Sequence, residues 1–181
     1  MNEAFRPVIV TLVKGLGISF WQTESFAIPI ILVNNSEAEE AAAALALYRS
    51  KNRNAHIVSI NLFQSAGSAL ALGLKEAVKL GFTHAVTLTQ PFEDEEALKI
   101  LVDTAKENPA SLIEASTEDT RRAFPLREAM QFIEKHGGGS GFEARFAQEF
   151  PGNKVTITLP GKPKKLSFTE KTAAFFKSLL G

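Results

Sequence analysis

The sequence predicts an α/β protein, a three-layer sandwich with helices on both faces of a mostly parallel sheet. Three observations predict it. Short β-branched runs alternate with helical segments up to about residue 115, the rhythm of strand–helix–strand units. The runs 8–13 and 27–34 are apolar almost without interruption, as in strands covered on both faces. Glycine, serine and acidic residues mark the points where helices begin and end.

Taken in order, Pro7 precedes a first strand over 8–13, and the two glycines of 14–17 make a loop. A second strand spans 27–34. Ser36 is placed to cap a helix whose first turn carries Glu37, Glu39 and Glu40, where the helix dipole favours anions; that helix runs to Arg49 or Lys51. A third strand covers 55–61. After a loop at 62–68, an alanine- and leucine-rich helix runs from Ser68 to Leu80 and stops at Gly81. A fourth strand covers 84–89, a helix 93–107 and a fifth strand 111–115. Beyond 115 the rhythm changes: 116–122 is polar, 126–136 helical, and the glycine run 137–141 reads as a hinge or a linker. A short helix or turn follows at 142–150, then an alternating edge strand at 154–159, a basic loop at 161–165 and a last helix at 168–180.

With 181 residues a single domain is expected, 1–115 forming a nucleotide-binding-type half and 116–181 a shortened C-terminal half. The chain has no cysteine, which excludes disulfides, thiolate metal sites and cysteine nucleophiles. Twenty basic residues balance twenty acidic ones, so no nucleic-acid footprint is expected. No apolar run approaches the ~20 residues of a membrane span, and residues 1–7 lack the pattern of a secretory signal. A cytoplasmic protein is the expectation.

Several segments together resemble the family 2 glycosyltransferases of GT-A fold, on the bacterial, dolichol-phosphate-mannose-synthase-like side. They are Phe5-Arg6-Pro7 before the first strand, Pro29-Ile30-Ile31-Leu32-Val33-Asn34-Asn35-Ser36, the stretch from Gln64 to Ala69, Gly81-Phe82-Thr83-His84-Ala85-Val86, and Asn108-Pro109-Ala110-Ser111-Leu112-Ile113. Arg122-Ala123-Phe124-Pro125-Leu126 and the stretch from Glu143 to Pro160 extend the likeness over most of the chain.

The resemblance implies a nucleotide-sugar donor bound through a base-recognising aspartate, a metal-binding D-x-D and a general-base aspartate. This chain departs from it at each position. Asn34 and Asn35 stand where the aspartate belongs. Thr89, Gln90 and Pro91 replace the D-x-D, whose carboxylates a hard divalent cation requires. Ala66 replaces a lysine, and the general base falls in 139–141, which has no titratable group. Several dozen residues of the family's acceptor side are missing between 115 and 122.

The resemblance therefore implies a catalytically inactive glycosyltransferase-like protein acting as a binding, regulatory or partner subunit. The alternatives are a metal-independent transferase using relocated acids, with Asp94 and Glu143 as candidates, and an oligomeric scaffold using the 154–159 edge or the last helix. Candidate nucleotide-binding residues are Asn34, Asn35, Gln64, Gly67, Thr89 and Gln90. Asn34 and Asn35 equally suit a turn, through their tolerance of unusual backbone angles. Glu93, Asp94, Glu95 and Glu96 read as acids at a helix start rather than a displaced metal site. His56, His84 and His136 read as structural, and Trp21 as a core or interface anchor. No metal site and no cofactor is expected. The expected partners are a nucleotide or nucleotide sugar and a protein or second copy, with peripheral membrane contact through Lys162, Lys164, Lys165, Phe175 and Phe176 as a further option.

Overall fold

Strand β1 (Pro7–Val13) lies inside the sheet, and Val8, Ile9 and Val10 are wholly buried. A computed structural model of the chain describes residues 4–13, 28–36, 39–60, 64–88, 95–116 and 121–159. After β1 come β2 (Ile30–Asn34), α1 (Glu39–Lys51), β3 (Ala55–Ser59), α2 (Ala66–Lys79), β4 (His84–Leu88), α3 (Glu95–Glu107) and β5 (Leu112–Ser116). The chain then forms β6 (Arg121–Pro125), α4 (Leu126–His136), α5 (Phe142–Glu149) and β7 (Lys154–Thr158). The seven strands make one sheet in the order β3-β2-β1-β4-β6-β5-β7. Only β6 runs against the others. The α/β sandwich with a mostly parallel sheet is thus observed.

Alternation along the strands divides the core in two. Ile9, Ile30, Leu32, Val86 and Ile113 face α1 and α3, meeting Leu45, Tyr48, Leu98 and Leu101. Val8, Val10, Ile31, Val33 and Phe124 face α2, α4 and α5. On that second face α2 lies so close that a Cβ at Gly73 would come within 2.7 Å of Val10 and Val33 side-chain carbons. The same face holds a group of aromatic rings centred on Phe146, whose ring lies 5.0 Å from that of Phe124, 5.5 Å from those of Phe132 and Phe150, and 5.8 Å from that of Phe142.

Strand β6 departs from the sequence reading, which has 116–122 as a polar connection. Its two arginines conceal it. Arg121 is buried, and Arg122 Nε donates to Glu114 Oε1 on β5 at 2.7 Å, so the charges are accommodated within a strand pair. Helix α2 starts earlier than expected, at Ala66, because Ser65 is its cap: Ser65 Oγ accepts the Ser68 N–H at 3.2 Å. Its other end fits expectation. Gly81 takes φ +78°, and the Gly81 and Phe82 N–H groups donate to Val78 and Ala77 carbonyls, closing the helix in a Schellman turn. The edge strand at 154–159 is β7. The expected N-cap arrangement around Ser36 and Glu37, the loops at 14–17 and 161–165, Trp21 and the last helix at 168–180 involve residues outside those described.

Phe146→Ala removes the centre of the aromatic group and is expected to destabilise the protein by ~3–5 kcal/mol, read from urea unfolding. Burial raises the Tyr48 hydroxyl pKa above its ordinary 10.0, so the folded state holds that proton longer than the unfolded chain does. Stability is therefore complete below pH 10 and declines as pH rises through the folded value. Tyr48→Phe is expected to flatten that part of the pH–stability curve.

Candidate functional site

In an open parallel sheet a ligand sits outside the carboxyl ends of the strands, where the strand order reverses. Here the chain builds outward from β1 through β2 to β3, then returns to place β4 on the other side of β1. The reversal lies between β1 and β4, at Val13 and Leu88. The segments that follow these strands, with candidates Thr89, Gln90 and Asp94, are outside the described residues.

Four candidates are described at this end of the sheet. Asn34 ends β2 and Asn35 follows it, and both are buried, at 7% and 3% exposure. Asn34 Oδ1 accepts the Ser36 N–H at 3.2 Å, turning the chain sharply after the strand. The Asn35 side chain bonds twice to the backbone of Gln64: Nδ2 donates to the Gln64 carbonyl at 2.9 Å, and the Gln64 N–H donates to Oδ1 at 3.1 Å. A carboxylate could accept in this clamp but not donate, so the pair of bonds fits an amide. It fastens the end of β2 to the approach to α2, across 29 residues of sequence.

Gly67, in the first turn of α2, meets the glycine run. A Cβ there would lie 2.0 Å from the Gly139 carbonyl oxygen, and a Cβ at Gly138 would lie 2.3 Å from that of Ala71. The run 137–141 is thus a packed connection between α4 and α5, with backbone lying directly on backbone. Gly137 and Gly141, both at positive φ, turn the chain at its ends. The hinge or linker reading is replaced by this close approach. Glu143 is half-buried in the first turn of α5, just beyond the run.

The histidines occupy structural positions. His84 Nε2 donates to the Pro109 carbonyl at 2.8 Å, Nδ1 bonds Thr83 Oγ1 at 2.9 Å, and the ring packs 4.5 Å from that of Phe5. His136 lies 3.5 Å from Glu149. Both are away from the strand carboxyl ends or on the helix surface. Among the described residues, no three of His, Asp and Glu gather as metal ligands would.

One polar group had no sign in the sequence. Thr87 pairs in register with Arg122, which pairs with Glu114. Thr87 is 2% exposed, and its Oγ1 has no hydrogen-bond partner among the described residues. Reading this row requires knowing that β6 lies between β4 and β5. At this end of the sheet the start of α2, its Ser68 N–H taken by Ser65 Oγ, lies beside two asparagines engaged with backbone.

The fold matches that of solved structures of nucleotide-diphospho-sugar transferase-like, GT-A-like architecture. The chain is similar over 97% of its length to 96% of a 4-diphosphocytidyl-2C-methyl-D-erythritol synthase from Anaerococcus prevotii, at 14% identity and TM-score 0.64. It is also similar to a cytidylyltransferase from Leptospira borgpetersenii (12% identity, TM-score 0.54, 90% of this chain and 79% of that one). A third likeness is to a mannose-1-phosphate geranyltransferase from Thermus thermophilus (11%, 0.55, 86% and 75%). No protein-family model matches the sequence, and none of the curated proteins matches it either. No helix among the described residues is long and apolar enough to cross a membrane.

Asn35→Ala removes both bonds to Gln64 and is expected to cost ~1–3 kcal/mol. Hydrogen exchange is expected to quicken at Gln64 and the first turn of α2 more than in β1.

Proposed function

We propose that this chain is a family 2 glycosyltransferase-like protein without transferase activity, which binds a nucleotide or nucleotide sugar and acts as a binding or partner subunit. One observation carries the reading: where the resemblance calls for a base-recognising aspartate, Asn34 and Asn35 spend their side chains on the backbone of residues 36 and 64. A position that served recognition in the family serves the fold here. The replacement of the D-x-D by Thr89, Gln90 and Pro91, and of the general base by glycine, agrees with it. No metal is needed for such binding. At the α2 N-terminus, where Ser65 caps Ser68, the N–H groups left for a phosphate are those of Ala66 and Gly67, and the strand-order reversal between β1 and β4 gives the place for the nucleotide. The names of the similar structures add cytidine nucleotides to the ligands worth presenting.

Thermal unfolding with nucleoside diphosphates, nucleotide sugars and CTP, each with and without Mn²⁺, tests this. A ligand at 100 times its Kd stabilises by ~2.7 kcal/mol, which raises Tm by roughly 5–10 °C in a chain of this size. The expected result is a shift with at least one nucleotide that is the same without Mn²⁺, and no sugar transfer to water or an added acceptor. A shift that requires Mn²⁺, or turnover of a sugar nucleotide or of CTP, overturns the reading.

A further inference from the structure

Arg145, near the start of α5, is half-buried and without a counter-charge. Its Nε is closed off from solvent, and no acceptor meets it. The guanidinium makes no ion pair among the described residues. Arg122, buried to a similar degree, shows the ordinary arrangement, with Glu114 Oε1 2.7 Å from its Nε. An arginine does not shed its proton at any physiological pH, so the charge of Arg145 is permanent. A charge held partly out of water with no partner is a standing cost to the fold. An orphaned buried donor marks a place where a water or an ion belongs.

The surroundings favour an anion. The guanidinium is turned back over the glycine run, with Nη2 3.9 Å from where a Cβ of Gly139 would stand. Gly139 in turn abuts Gly67 in the first turn of α2, so the starts of α2 and α5 meet at this run. Helix α2 has no acid in its first turn, and Gly141 gives α5 no side-chain cap. Glu143 is the single carboxylate in the two first turns, and it does not pair with Arg145. The guanidinium and two helix poles of roughly half a charge each outweigh it.

We propose that Arg145 holds a diphosphate, that of a nucleotide bound at this end of the sheet, and supplies the positive charge that a divalent cation would otherwise bring. The inference rests on the nucleotide-binding reading above and names the residue that neutralises its phosphates. A guanidinium presents parallel N–H groups that match two phosphate oxygens at once. Swinging outward from the glycine run onto such an oxyanion gives Arg145 the acceptors it lacks in the ligand-free fold. The N–H groups of Ala66 and Gly67 belong to the same neighbourhood, through the contact of Gly67 with Gly139.

Calorimetric titration of the full chain with pyrophosphate and with nucleoside diphosphates, in EDTA, tests this. Arg145→Gln is expected to weaken pyrophosphate binding by at least about tenfold. The urea midpoint of the ligand-free variant is expected to stay the same or rise, because an unpaired charge has been removed. An arginine that serves only the fold gives the opposite pair of results, unchanged binding and a lowered midpoint, and that overturns the proposal. Equal binding of a nucleoside diphosphate by wild type and R145Q also overturns it and leaves the nucleotide reading standing. Pyrophosphate bound through Arg145, with no nucleotide bound, upholds the diphosphate site and overturns the nucleotide reading. Binding of neither overturns both. In the wild type, the Arg145 Nε–H resonance, assigned by its absence in R145K, is expected to move when pyrophosphate is added. This readout decides should R145Q fail to fold, and an unmoved resonance overturns the proposal.

Discussion

The structure depends on covering both faces of a parallel sheet at once. Strand β1 has neighbours on both edges, and its residues Val8 to Thr11 are buried on both faces. A strand in that position has no polar face, and its run of Val, Ile and Leu follows from this. The helices must then divide between two layers. Helices α1 and α3 close one side, and α2, α4 and α5 the other. The β2-to-β3 connection through α1 and the β3-to-β4 connection through α2 run in opposite directions across the sheet, and these two helices lie on opposite faces.

That requirement is written locally, which is why the first half of the chain is legible in the sequence. Continuous apolar runs announce β1, β2 and β4, and Gly81 announces the end of α2. Strand β6 is not legible, because two arginines open it and only the neighbouring Glu114 makes Arg122 acceptable there. Charge on a strand is interpretable only when its cross-strand partner is known, and that partner comes from the fold. The same holds for the site. Asparagines after β2 suggest a turn or a ligand contact, and nothing local chooses. The choice lies in Gln64, 29 residues away. The glycine run looks like slack chain, but its composition is set by Gly67 and Ala71, against which it lies. Short-range pattern records burial well and close approach poorly.

At the carboxyl ends of the strands, structural support converges on one helix start. The Asn35–Gln64 clamp and the Gly67–Gly139 contact both bear on the start of α2, one from the sheet and one from the α4–α5 connection. This helix end is held from two directions, and its exposed Ser65 and Ala66 face outward between them.

Strand β6 also constrains how such a chain can be made. β4 and β5 follow one another in sequence, separated by α3, but never touch; β6 stands between them and pairs with both. As the polypeptide leaves a ribosome, β1 to β4 can assemble on emergence, whereas β5 has no neighbour until residues 121–125 appear and insert. The outer part of the sheet, β5 and β7, is attached to the rest through that one late strand. A nascent chain halted at residue 116 would expose the free edge of β4 and a homeless β5, the kind of unpaired strand that aggregates or recruits a chaperone. A protein in which the strand joining β4 to β5 is made after both of them completes that part of its sheet only when synthesis has passed it.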